Sequence, residues 1–160
     1  PTLTATSTLV AADPGWAACA PAVEGALEDA AAAQAAYMEG RIGAEALAET
    51  WGAAAPYARR QAEVMMAYRS GRIEGVQIAA VTWQMTSCRM RREGGMVRAA
   101  VRETWRYEAD LACASGGTRR STWVEVFAHE TYALIQAAGG WRVDSWLSGP
   151  AEVEQQWACR

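Results

Sequence analysis

The stretch Glu130–Trp146, ETYALIQAAGGWRVDSW, decides the fold. On either side of Gly139-Gly140 apolar and polar residues alternate, the period-two pattern of two antiparallel strands joined by a tight glycine turn. The same period runs upstream, where Val97, Ala99, Val101, Trp105 and Tyr107 alternate with Arg98, Arg102, Thr104, Arg106 and Glu108. Such a segment is a strand with one apolar and one polar face. A first strand follows Val76. A three-residue turn over Glu93-Gly94-Gly95, with a glycine in the left-handed region, places Val81, Trp83 and Met85 on the face of Val101 and Trp105; a two-residue turn places them opposite. The three-residue turn is the one expected. Ser115-Gly116-Gly117 then turns the chain into a third strand over 122–137, and Gly139-Gly140 turns that into a fourth over 141–147.

Before position 76 the period is 3.6. Val23, Leu27, Ala30, Gln34 and Tyr37 share one face of a helix over 21–40, and Leu47 and Trp51 point inward from a shorter helix over 44–54. A third helix over 57–72 ends in AYRSGRI, echoing the AYMEGRI that ends the first, so Gly40 and Gly71 read as left-handed C-cap glycines. The expected class is α+β, with N-terminal helices packed on a bent four-stranded antiparallel meander.

Composition bounds the rest. With 160 residues, 51% hydrophobic and 21% charged, the chain supports one core. We expect a Thr/Ala-rich arm or linker over 1–20, one domain over 21–150 and a tail over 151–160. The net charge is −3 and no basic run is long enough to track a phosphate backbone, which excludes a nucleic-acid footprint. No stretch approaches the ~20 apolar residues that cross a bilayer. The opening PTLTATST is the kind of segment that follows an export signal or anchor, so an extracytoplasmic location is expected: secreted, periplasmic or at the cell surface. Its alternation of Thr2, Thr4, Thr6 and Thr8 with Leu3, Ala5, Ser7 and Leu9 is strand-like and suits docking on a sheet edge.

Cys19, Cys88, Cys113 and Cys159 form no CxxC pair, which argues against a metal site, and no cofactor motif is present. An even count in an exported chain suggests two disulfides, against free thiols in a cytosolic one. Cys88 and Cys113 fall on adjacent strands about twelve rungs apart, roughly 40 Å at strand rise, too far to bond. Extending the fourth strand's direction brings Cys159 level with Cys113, so Cys113 with Cys159 and Cys19 with Cys88 is the favoured pairing.

The order of helices followed by VRAAVRETWRYE (97–108) and ETYALIQAAGGWRVDSW resembles the nuclear transport factor 2-like superfamily of cone-shaped α+β domains. Over about 23–147 it is most similar to the IMS-type branch found in plastid-division and bacterial envelope proteins. The resemblance implies helices closing a cone-shaped sheet. The superfamily holds isomerases and dehydratases with carboxylates or a histidine in the cone, and many members with no chemistry, so function must come from residues.

Four residues are candidates for acid–base work: Glu103, His129, Glu130 and Asp144. Register places Glu103 near Glu130 on the apolar face, where two carboxylates sharing a dry site push one pKa upward. Against that reading, a strand end or bulge would turn either outward to pair with Arg102 or Arg106. His129 and Asp144 share the polar face several rows apart, the placement of solvated side chains. Trp83, Trp105, Tyr132 and Val143 would line the cone as a ligand pocket. Trp123, Trp146 and Trp157 fall on the other face or beyond the last strand, where large aromatics mark interfaces.

The expected function is a non-enzymatic, extracytoplasmic interaction or assembly domain, with a protein partner or self-association through Leu3, Leu9 and those tryptophans. The alternative is a small-molecule isomerase or lyase using Glu103 and Glu130, or a passive binder of an apolar ligand in the same cone.

Overall fold

The computed structural model describes residues 15–51 and 77–156. The expected third helix, with Gly71, lies outside the described residues, as do Leu3, Leu9, Trp157 and Cys159. The elements in chain order are β1 (Ala17–Ala18), α1 (Pro21–Met38), α2 (Ala44–Thr50), β2 (Gln77–Glu93), β3 (Met96–Ala112), β4 (Thr118–Ala137), β5 (Gly140–Leu147) and β6 (Ala151–Gln156). This is an α+β fold.

Helix α1 starts with proline in its first turn, where the missing N–H costs no intrahelical bond. It ends on Gly40 at φ 71°, with Gly40 N–H donating to Tyr37 O and Arg41 N–H to Ala36 O. That pair of bonds is a Schellman cap, the role expected of Gly40. The expected inward face is also present, with Val23, Leu27, Ala30 and Gln34 buried. From α2, Leu47 and the following Trp51 are buried as well, and the Trp51 indole donates to Ala30 O at 3.1 Å.

Among the described residues the sheet is antiparallel and has six strands, not four. β1 pairs with the far edge of β2, next to the Cys19–Cys88 disulfide. β6 pairs with β4 over Thr122–Phe127, while β5 pairs with β4 over Thr131–Ala137, so one edge of β4 is served by two strands in succession. β6 was expected as tail because its AEVEQQ sequence is exposed along nearly its whole length, leaving no apolar period to detect.

The faces of this sheet are set by bulges. β3 holds an unbroken period of two, with Val97, Ala99, Val101, Glu103, Trp105, Tyr107 and Ala109 all buried. The β2–β3 turn is two residues long, since Glu93 pairs with Met96 and Gly94 takes φ 63°. This corrects the expected three-residue turn. Val81, Trp83 and Met85 nevertheless face inward, opposite Tyr107, Trp105 and Glu103, because an extra residue at Thr86 shifts the register by one. β4 carries a matching irregularity at Ala128-His129, opposite Arg102, and β5 carries one at Asp144.

Each bulge switches which residues point inward. In β4 the buried set is Ser121, Trp123, Glu125 and Phe127 before the bulge, then Glu130, Tyr132 and Leu134 after it. α1 and α2 cover this inner face with two apolar clusters. One holds Val23, Leu27, Trp51, Val101, Tyr132 and Val143; the other holds Ala31, Ala35, Trp105, Tyr107, Trp123 and Phe127.

Candidate functional site

Three glutamates occupy core positions: Glu103 is 1% exposed, and Glu125 and Glu130 are 0% exposed. A buried carboxylate is tolerated only with its lone pairs satisfied, and here aromatic donors do much of that work. Glu103 Oε1 accepts from the Trp105 indole at 2.6 Å, and Oε2 accepts from Trp83 at 2.9 Å. Tyr132 Oη lies 3.0 and 2.9 Å from the same two oxygens. Indole N–H groups only donate, so both Glu103 oxygens are held as acceptors.

Glu130 sits where β4 passes from β6 to β5. Its Oε2 accepts from the Trp146 indole, and its Oε1 accepts from Ser148 Oγ and Gly149 N–H, both at 2.9 Å. The carboxyl therefore also ties down the β5–β6 connection. Gly149 is needed there, because a Cβ would lie 2.5 Å from His129 O. Burial pushes the Glu130 pKa up to about 7, and the Glu103 charge adds to the rise, while the bonds from Ser148, Trp146 and Gly149 pull it back. Among the described residues no arginine or histidine contacts this carboxyl.

Expected neighbours, Glu103 and Glu130 thus share the inner face closely enough for the charge of one to act on the other. Of the expected pocket residues, Trp83, Trp105 and Tyr132 converge on Glu103, and Val143 lies in the apolar cluster beside Tyr132. His129 is exposed, as expected of a solvated side chain, and Asp144 is the extra residue of β5, so the two form no dyad.

Two tryptophan placements are corrected. Trp123, expected on the outer face, is buried against Tyr107 with ring centroids 5.5 Å apart. Trp146 is half-buried and opposite Tyr132 on the inner side. The cause is the same in both cases: counting parity from Gly139-Gly140 or along β4 misses a bulge.

Two residues were missed as site candidates. Glu125 accepts from Tyr107 Oη at 3.1 Å in the second cluster. Its signal was the alternation Trp123, Glu125, Phe127, obscured because Val124 and Val126 make the other parity equally apolar. Gln34 was legible as inward-facing, but not as a fully buried amide that hydrogen-bonds to nothing among the described residues.

Cys19 and Cys88 are bonded as expected, with Cα atoms 5.5 Å apart. The expected Cys113–Cys159 bond involves a partner outside the described residues. No group of side chains among those described could hold a metal ion, and no described helix is long and apolar enough to cross a membrane.

Fold and site together define an α+β protein whose helix-covered sheet face buries glutamates among tryptophans and tyrosines. No protein-family model and no curated protein matches the chain. Among solved structures it is similar to Aln2 from a Streptomyces species, with 16% identity, covering 82% of this chain and 92% of that one at a TM-score of 0.44.

Proposed function

We propose that the inner face is a small-molecule site in which Glu130 exchanges a proton with its ligand while Glu103 is held as a fixed acceptor beside it. One observation carries this reading: a fully buried carboxyl, without a cationic partner among the described residues, is held near pH 7 beside a second buried glutamate. Such an arrangement sacrifices stability, and acid–base sites are where that sacrifice has a use. The buried Gln34 amide of α1, which hydrogen-bonds to nothing among the described residues, leaves a further donor and acceptor open in the helix layer. Isomerase or lyase chemistry of this kind occurs in some members of the nuclear transport factor 2-like superfamily that the sequence resembles, alongside many members with no chemistry. For an enolisable ketone, the α C–H bond breaks, the proton passes to Glu130 and the electron pair forms the enolate; return of the proton at another carbon completes an isomerisation.

Incubation with 2-tetralone in D2O, followed by NMR, tests the reading. Deuteration of the α carbons about 10²-fold or more above buffer, lost in Glu130→Gln, is the expected result. Deuteration unchanged in Glu130→Gln removes Glu130 from the chemistry, and saturable tryptophan quenching without deuteration leaves a passive binder. No interaction with this or other apolar cyclic ketones sinks the proposal.

A second reading rests on different residues. Val153 on β6, a strand that pairs only with β4 among the described residues, is 41% exposed, Val126 on the neighbouring β4 is 40% exposed, and Leu147 at the end of β5 is 72% exposed. An edge strand with exposed apolar side chains favours association through strand addition, the assembly role expected from sequence. The Cys19–Cys88 disulfide suits the extracytoplasmic setting proposed with it. Sedimentation equilibrium of the intact chain should then show a dimer or larger species that Val153→Lys dissociates. A monomer at high micromolar concentration would end that reading.

A further inference from the structure

The outer face of the sheet carries a feature that neither reading uses. Ser87 on β2 pairs directly with Arg102 on β3, and Arg102 lies opposite the Ala128-His129 bulge of β4. In the adjoining row Arg89 pairs with Ala100, and Ala100 pairs with Thr131. Residues two apart on a strand share a face, so Ser87, Arg89, Ala100, Arg102, His129 and Thr131 all present to the same side. The small Ala100 side chain leaves room for a recess of about 410 Å³ whose lining includes Ser87, Arg89, Arg102, His129 and Thr131. The bulges at Thr86 and at Ala128-His129 flank Arg102 on both sides and bend the strands around it.

The ion-pair pattern singles out the centre of this recess. Along the outer face of β3, Arg98 pairs with Glu93 at 3.1 Å and Arg106 pairs with Glu108 at 3.5 Å. Between them, Arg102 has no carboxylate partner among the described residues, and neither does His129. Arg89 is steadied by its bond to Trp16 O at 3.0 Å, which engages one Nη and leaves the rest of the fork available. The acids adjacent in sequence, Glu103 beside Arg102 and Glu130 beside His129, both turn their carboxyls to the opposite face.

We propose that this recess is an oxyanion site that takes the phosphate group of a small molecule, with Arg102 as its central ligand. Arg102 and Arg89 supply charge-assisted N–H donors, His129 a ring N–H, and Ser87 and Thr131 hydroxyl donors to the remaining oxygens. A tetrahedral phosphate uses more of these converging donors than a planar carboxylate can.

The test is a titration of the intact chain with inorganic phosphate at constant ionic strength, followed by ¹H–¹⁵N shifts of residues 87–89, 100–102 and 129–131. Saturable shifts confined to those segments are expected. Arg102→Gln should weaken binding by about tenfold or more, the effect of one charge-assisted contact, and Ser87→Ala should weaken it less. Both side chains are exposed, so neither variant threatens the fold, and unchanged circular dichroism verifies that. Absence of saturation at tens of millimolar phosphate, or equal affinity in Arg102→Gln, overturns the site. Acetate binding as tightly as phosphate overturns the choice of phosphate as ligand.

Discussion

Replacing both Cys19 and Cys88 with alanine is expected to cost about 4 kcal/mol of folding stability. The bond joins residues 69 positions apart, so in the chain-entropy account it removes that much closure entropy from the unfolded ensemble. It also anchors β1, a strand of only two residues that could not hold its place on β2 through its backbone bonds alone. Alanine is the better replacement because Cys88 packs against the inner apolar cluster opposite Val101, where a serine hydroxyl would add an unsatisfied polar group. Urea unfolding of the oxidised parent and the double variant measures the difference, and a thermal scan should show a drop on the order of 10 °C. A loss below about 1 kcal/mol would mean that the segment between the two cysteines is already restrained when the rest is unfolded.

The second large effect is electrostatic. Glu130 is expected to titrate with a midpoint near 7 in ¹³C-carboxyl NMR, instead of its ordinary value of 4.5. Because the folded state binds the proton more tightly than the unfolded chain, this group's contribution to stability is fully present below pH 4.5. It is lost as pH rises through 7. Unfolding free energy should therefore fall by about 1–3 kcal/mol between pH 5 and pH 8 from this group. Glu103→Gln removes the second-largest cause of the shift, so the Glu130 midpoint should move down while staying above 4.5, since burial remains the larger cause. A midpoint near 4.5 in the parent would show the donors from Trp146, Ser148 and Gly149 outweighing burial, and would remove the basis for proton exchange at neutral pH. A midpoint near 7 that Glu103→Gln leaves in place would separate the two carboxyls and leave Glu130 acting alone.

How far the inner face could be read in the primary structure varied strand by strand. β3 is legible over 97–108, short of its full span Met96–Ala112, because it contains no bulge, so simple alternation from Val97 to Tyr107 locates Glu103 in the core. Glu130 was placed correctly beside it, although the true register passes through the Ala128-His129 bulge. Val81, Trp83 and Met85 were placed on the right face through the wrong turn, since a two-residue turn plus a bulge at Thr86 has the same parity as a three-residue turn without one. Trp123 and Trp146 had no such compensation, and their faces were inverted.

By itself, the amino-acid sequence determined the α+β class, the C-cap and inward face of the first helix, the antiparallel order of the four long strands and the Cys19–Cys88 pairing. These follow from local periodicity, glycine conformation and coarse reach along the strands. Only the tertiary structure decided where the register slips, that β6 takes over the edge of β4, that Glu125 is buried beside Tyr107, and which cations meet over Ala100. A bulge is one residue whose position depends on how neighbouring strands bend against the helices, and no period in the chain encodes it.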